Sequence, residues 1–120
     1  MSASEKPKAI VRHIKDAPTV PCLCGESTRP ITRADTPLAN FHVTHIMDSR
    51  KHYHERCTEI YYILEGEGFL ELDEEEVVLR PGLVVLIPAG VAHRGRGDFR
   101  SVIVGIPAQH PEDEDRKSVV

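Results

Sequence analysis

The stretch His52-Tyr53-His54-Glu55-Arg56-Cys57-Thr58-Glu59 decides how this chain is read. Side chains alternate along a strand with period two, so His52 and His54 leave the same face. Glu59 follows a turn over residues 55–58 and heads a segment that runs back beside the first. A fourth candidate, His93, lies further along. Imidazole and carboxylate are ligands that borderline metals accept. Alone, the histidine pair is better read as two solvated residues at a polar hairpin end. With Glu59 and His93 in register, the four residues point to one divalent transition metal ion: Fe, Mn, Ni or Zn.

Outward from this stretch the chain reads as β structure. Residues 41–47 alternate, and residues 58–64 are rich in β-branched and aromatic side chains. Gly66-Glu67-Gly68 interrupts that run. Residues 69–72 and 77–79 flank the acidic turn Asp73-Glu74-Glu75, which predicts a hairpin. Arg80-Pro81-Gly82 and Pro88-Ala89-Gly90 are further turns. Residues 83–87 form a continuous apolar run and are expected to be a buried strand. Residues 92–95 and 101–106 close the series. No helix of useful length is expected. Short strands separated by frequent turns indicate a sandwich or barrel.

Residues 1–40 differ. They carry five of the nine prolines and no long periodic run. Proline confines their short apolar pieces, 9–14 and 19–23, to sheet edges or irregular structure. The expected organisation is an N-terminal arm over 1–40, packing on the barrel or on a partner, a barrel over 41–107, and a charged, disordered tail over 108–120.

Bulk properties narrow the function. A length of 120 residues suits one core. A formal net charge of −4 argues against non-specific nucleic-acid binding, which needs clustered Lys and Arg. No apolar run reaches membrane-spanning length, and residues 1–8 lack the apolar core of a secretory signal. Three cysteines imply no disulfide framework, so a reducing, cytoplasmic setting is expected.

Two segments carry a family resemblance: His52-x-His54-x4-Glu59-x6-Gly66, then Gly82-x5-Pro88-x-Gly90-x2-His93. They resemble the paired signature motifs of the cupin superfamily. The resemblance implies an all-β fold, a cupin-type double-stranded β-helix (jelly-roll) barrel with an irregular N-terminal arm. It implies His52, His54, Glu59 and His93 as metal ligands, with a position left open for water or substrate. The fifteen residues between Gly66 and Gly82 resemble the spacer of compact bacterial members. Two positions depart from the pattern. Ile46 stands where a glycine is expected and Gly97 where an asparagine is expected, and the nearby Asp48-Ser49 is a candidate for the missing turn.

Other residues are weighed against ordinary structural roles. Only one of His42 and His45 can face the barrel interior, where it could meet substrate or carry a proton. Tyr61 shares parity with Glu59, which places it in the pocket or the core. Cys22-x-Cys24 has neither the paired spacing of a zinc site nor the two-residue gap of a redox motif. Cys57 is expected in the turn beside the ligands. Arg94 and Arg96 have the opposite parity to His93 and are expected to face outward. A metal-dependent enzyme acting on a small polar molecule is expected, with a dioxygenase favoured. The alternatives are a ligand-binding or sensing barrel and a sugar isomerase or epimerase. Resemblance to small family members also implies a homodimer.

Overall fold

The computed structural model describes residues 6–114 and 117–118. After a short 3-10 turn at Ile14–Asp16, the strands are β1 Thr19–Cys22, β2 Gly25–Ile31, β3 Asn40–Met47, β4 His52–Tyr53, β5 Thr58–Leu72, β6 Glu75–Leu79, β7 Val84–Ile87, β8 His93–Ile106 and β9 Lys117–Ser118. One helical turn, α1 Pro111–Glu114, precedes β9. All nine strands join one antiparallel sheet. Strands β5 and β8 pair along nearly their whole length and form the spine of the barrel. The expected all-β jelly-roll barrel is the observed architecture.

Inward positions alternate as a half-buried strand requires. On β3 they are Asn40, His42, Thr44 and Ile46, all buried. A cluster of Ile46, Tyr61, Ile63, Leu70, Leu79, Ile87, Phe99 and Ile103 fills the closed part of the barrel. Burial of such side chains stabilises by about 1.5–3 kcal/mol each. Polar inward residues of β3, β4, β5 and β8 collect in the remaining part, where the site lies.

Three sequence expectations are corrected. Gly66 and Gly68 do not end a strand; β5 runs through them with a register shift between Ile63 and Glu65. Gly66 sits at φ 97°, and a Cβ there would run into the Asp98 carbonyl and the Phe99 Cα, so the glycine lets the long strand cross tightly over β8. Likewise, residues 92–95 and 101–106 are parts of one 14-residue strand. The run 83–87 is not buried on both faces, because Val84 and Leu86 are 62% and 60% exposed. Both its faces are apolar, and only the Val85 and Ile87 face meets the core.

The N-terminal segment contributes β1 and β2 as an edge hairpin on β3. Ahead of it, Arg12 donates to the Pro30 carbonyl at 2.6 Å and pairs with Asp35 at 2.7 Å, which lays this segment on its own barrel. Asp35 is thereby held low, at about 2, chiefly by the Arg12 hydrogen bond. Within the segment expected to be a disordered tail, residues 108–113 pack on the barrel and Asp113 is 4% exposed. The remainder of that tail lies largely outside the described residues.

Asp48 bonds to one of the two departures from the family pattern, Gly97. Asp48 takes the left-handed turn at φ 44°. Its carboxylate accepts from the Gly97 amide at 2.9 Å, and its own amide donates to the Gly97 carbonyl at 3.1 Å. Ile46, two residues earlier, is thereby free to serve in the core, 1% exposed.

Candidate metal centre

His52, His54, Glu59 and His93 come from four different points of the chain and meet inside the barrel. His52 lies on β4, directly opposite His93 at the start of β8. Glu59 heads β5 between β7 and β8. All four are buried, at 3%, 3%, 5% and 2% exposure in chain order. The ligand atoms of the three histidines lie within 4.8 Å of one another. Glu59 Oε1 is 3.1 Å from His93 Nε2 and 3.3 Å from His54 Nε2.

Each imidazole is oriented through its far nitrogen. Nδ1 of His52 lies 2.8 Å from the Arg50 carbonyl, that of His54 2.8 Å from the Asp113 carbonyl, and that of His93 3.0 Å from the Val91 carbonyl. A carbonyl only accepts, so each Nδ1 carries the proton and donates it. In the neutral rings every Nε2 then presents a lone pair to a common centre. This is the arrangement in which metal-ligating histidines are held.

Electrostatics sharpen the picture. Burial first, and the neighbouring His93 imidazole second, push His52 down to about 4, which keeps it neutral. Burial also opposes a charge on His54, but Glu59 outweighs it and lifts His54 to about 9. Burial would raise Glu59; His54 and His93 instead hold it well below the usual carboxylate range. The close approaches do not satisfy the cluster, since Glu59 Oε1 and His93 Nε2 are buried with no hydrogen-bond partner. Buried carboxylates need a cation or a donor. Three imidazole nitrogens and one carboxylate oxygen make a donor set that fits a divalent transition metal.

Asp113 contributes support that sequence reasoning missed. Its carboxylate accepts from the amides of Glu55, Arg56 and Cys57 at 2.6, 3.1 and 3.3 Å, tying down the turn between His54 and Glu59. Its own carbonyl orients His54. Gln109 packs on the same ring, its amide nitrogen 3.0 Å from His54 Nδ1, and its backbone amide is anchored on Asn40. An acidic run near a chain end reads as solvated charge, so no local signal marked Asp113.

The secondary candidates divide. His42 points inward onto the cavity beside the cluster, whereas His45 points outward and pairs with Asp98 at 2.6 Å. Burial first, and the Arg29 charge second, hold His42 down at about 4. Tyr61 is 2% exposed, its ring 6.3 Å from that of His93. Burial holds its hydroxyl protonated. Cys22 and Cys24 flank the β1–β2 turn at the cavity wall. A hydrogen bond from Cys24 draws Cys22 down to about 7, whereas burial pushes Cys57 up to about 12. All three are free thiols. Arg94 turns outward, donating to the Ser49 carbonyl at 3.1 Å.

The cavity beside the cluster holds about 30 Å³, room for about one to three water molecules. A far larger open groove, about 870 Å³, lies around Lys51, Glu75 and Leu86 and contains none of the four residues. The smaller space is the relevant one, because His52, His54 and Glu59 line it.

Comparison with known proteins agrees with this architecture. A segment of the chain is 43% identical over 47 residues to quercetin 2,3-dioxygenase of Bacillus subtilis, covering 39% of this chain and 14% of that protein. A solved structure of a protein from Planctomyces limnophilus superposes with a TM-score of 0.81 at 28% identity, covering 93% of this chain and 98% of that one. Pac13, a nucleoside dehydratase, superposes with a TM-score of 0.80 at 17% identity, covering 93% and 92%. At that identity the likeness is one of fold. The cupin domain model matches residues 43–104, and with the two signature segments in place around one barrel site the chain belongs to the cupin family.

Proposed function

We propose that this protein is a metal-dependent enzyme. It holds one divalent ion (Fe, Mn, Ni or Zn) on His52, His54, Glu59 and His93 and acts on a small polar molecule inside the barrel. One observation carries the reading: three buried imidazoles, each committed through Nδ1 to a backbone carbonyl, bring ligand nitrogens within 4.8 Å of one another, and Glu59 Oε1 lies 3.3 and 3.1 Å from those of His54 and His93. A divalent ion there supplies Lewis acidity or, as Fe(II), oxygen activation. Glu59 neutralises part of its charge. His42, held neutral by burial, faces the same cavity.

A dioxygenase is favoured because this ligand set is close to that of non-haem iron oxygenases, and because the chain shares a segment with the Bacillus dioxygenase. The chain spans only 14% of that protein, so its substrate does not transfer. Anaerobic Fe(II) reconstitution followed by air should consume oxygen with a suitable small substrate, and His93→Ala should abolish consumption. Absence of consumption across a broad library would favour the second reading, a ligand-binding or sensing barrel or a sugar isomerase-type activity.

We further infer a homodimer, formed through the outer face of the sheet. Two apolar rows cross four strands there: Phe41, Val104, Ile60 and Leu86, then Val43, Val102, Tyr62 and Val84. Phe41, Tyr62, Val84 and Leu86 are exposed. A contiguous apolar face is unusual on a monomer, and it can pair with a two-fold copy of itself. Leu86→Lys should convert a dimer to a monomer in sedimentation analysis; a monomeric parent would contradict the inference. Among the described residues no helix is long and apolar enough to cross a membrane. The free thiols fit a reducing, cytoplasmic compartment.

A further inference from the structure

The metal centre leaves Cys22 and Cys24 without a role. They sit in a tight turn, Cys22-Leu23-Cys24-Gly25, that joins β1 to β2 and pairs Cys22 with Gly25. Strand β1 is at the edge of the sheet, and both cysteines are reduced and partly exposed.

The turn brings the two sulfurs together. Along an extended strand, residues two apart have Cα atoms about 6.7 Å apart, at the upper limit of the roughly 4.4–6.8 Å that a disulfide spans. A reversing turn shortens that separation. The Cys24 thiol donates to the Cys22 sulfur, which also faces the backbone amides of Cys24 and Gly25. Strand β3 holds the turn in place. The Met47 amide donates to the Cys24 carbonyl at 3.3 Å, and Gly25 lies so close to the His45 carbonyl that a Cβ there would run into it. The pair is thereby preorganised. One intervening residue is short of the usual redox spacing, but the hairpin turn supplies the proximity. Cys57 is the contrast: it is 3% exposed, its sulfur lies against the Thr58 and Pro107 carbonyls, and burial pushes its thiol up to about 12.

We propose that Cys22 and Cys24 are a reactive dithiol, a second site whose reactant is a small hydroperoxide and whose product is a Cys22–Cys24 disulfide. The Cys22 thiolate attacks a peroxide oxygen and the O–O bond breaks. The leaving alkoxide or hydroxide takes a proton and departs as alcohol or water, and Cys22 is left as a sulfenic acid. The Cys24 sulfur then gives its proton to solvent and attacks the Cys22 sulfur. The S–S bond forms, the S–O bond breaks, and the leaving hydroxide takes a proton to become water. The dithiol loses two electrons and two protons, and the hydroperoxide gains them. Hydroperoxide arrives from the solvent side of the sheet edge, so nothing has to enter the narrow cavity that both side chains line. A bridge closing so short a loop is strained and reopens readily with thiols.

The test uses the full chain as purified, with EDTA present to withhold stray iron. Hydrogen peroxide is the probe, catalase ends the reaction, and iodoacetamide in denaturant blocks the remaining thiols before tryptic mapping. The peptide 16–33 carries Cys22 and Cys24 without Cys57. In the parent it should lose two hydrogen atoms, escape alkylation, and regain both thiols after dithiothreitol, while Cys57 stays alkylatable. Cys24→Ser should stop at a sulfenic acid on Cys22 that dimedone traps. Cys22→Ser should slow peroxide-driven thiol loss about 10- to 100-fold. Circular dichroism checks that each variant is folded. The proposal is overturned if peptide 16–33 keeps both thiols at a peroxide concentration that oxidises glutathione. It is equally overturned if the bridge forms to Cys57 or to a second chain, if Cys24→Ser yields no trapped sulfenic acid, or if Cys22→Ser loses thiols as fast as the parent. None of these readouts depends on the metal reading.

Discussion

Asp113→Ala tests whether the segment after the barrel is part of the site. The Asp113 carboxylate accepts three backbone amides, from Glu55, Arg56 and Cys57. Hydrogen bonds to a charged acceptor contribute about 1.5–3 kcal/mol each. Glu55 and Arg56 are exposed, so their amides can turn to water when the carboxylate is removed. Cys57 is 3% exposed and its amide cannot. The loss should therefore fall well short of three full bonds, at about 2–4 kcal/mol. The turn these amides belong to sets the distance between His54 and Glu59, and loosening it should also weaken metal binding about 10- to 100-fold. Urea denaturation of the metal-free protein reads the first quantity, and Co(II) titration reads the second. Asp113→Asn keeps one acceptor oxygen and should fall between parent and alanine variant. If Asp113→Ala leaves stability and Co(II) affinity unchanged, the role assigned to this residue is refuted.

Metal binding should release about one proton at pH 7.5, because Glu59 holds His54 protonated up to about 9 in the metal-free site despite its burial. Calorimetry in buffers of different ionisation enthalpy measures this, and zero release would contradict it. That raised value also stabilises the metal-free fold fully below the unfolded value near 6.5, a contribution lost as pH rises through about 9. His42 has the opposite sign: burial lowers it to about 4, so its contribution is present above 6.5 and lost as pH falls towards 4. The ceiling is about 3 kcal/mol, and His42→Gln should flatten that part of the stability curve; parallel parent and variant curves would argue against it. At pH 7.5 Cys22, near 7 because of Cys24, should alkylate at least about 100-fold faster than buried Cys57. Peptide mapping after brief iodoacetamide treatment decides this, and equal labelling would count against the assigned environments.

The legible parts of this molecule are those in which chemistry and backbone period coincide. His52 and His54 declare a shared strand face by spacing alone, and Gly66, Gly82, Pro88 and Gly90 punctuate the chain where the barrel turns. The pattern was less informative where one residue serves two environments. Val84 and Leu86 looked like core because an outward apolar face and a buried one share the same letters. Gly66 looked like a break because a strand that bends across its partner also needs glycine. Asp113 and Gln109 were illegible for a different reason. They act through contacts 50 or more residues away, and a buried acidic acceptor carries no local mark that separates it from a solvated one. The interior polar wall of Ser27, Arg29 and Thr44 was hidden in the same way, inside a proline-rich segment that gave little sign of joining the sheet.

The central claim is that His52, His54, Glu59 and His93 hold one metal ion. Elemental analysis of protein purified without any metal-affinity step tests it most directly. The expected result is about one equivalent of a single divalent transition metal per chain, falling to a small fraction in His52→Ala and His93→Ala variants that remain folded. Protein that carries no metal, and takes up none from a stoichiometric supply of Fe(II), Mn(II), Ni(II) or Zn(II), would contradict it.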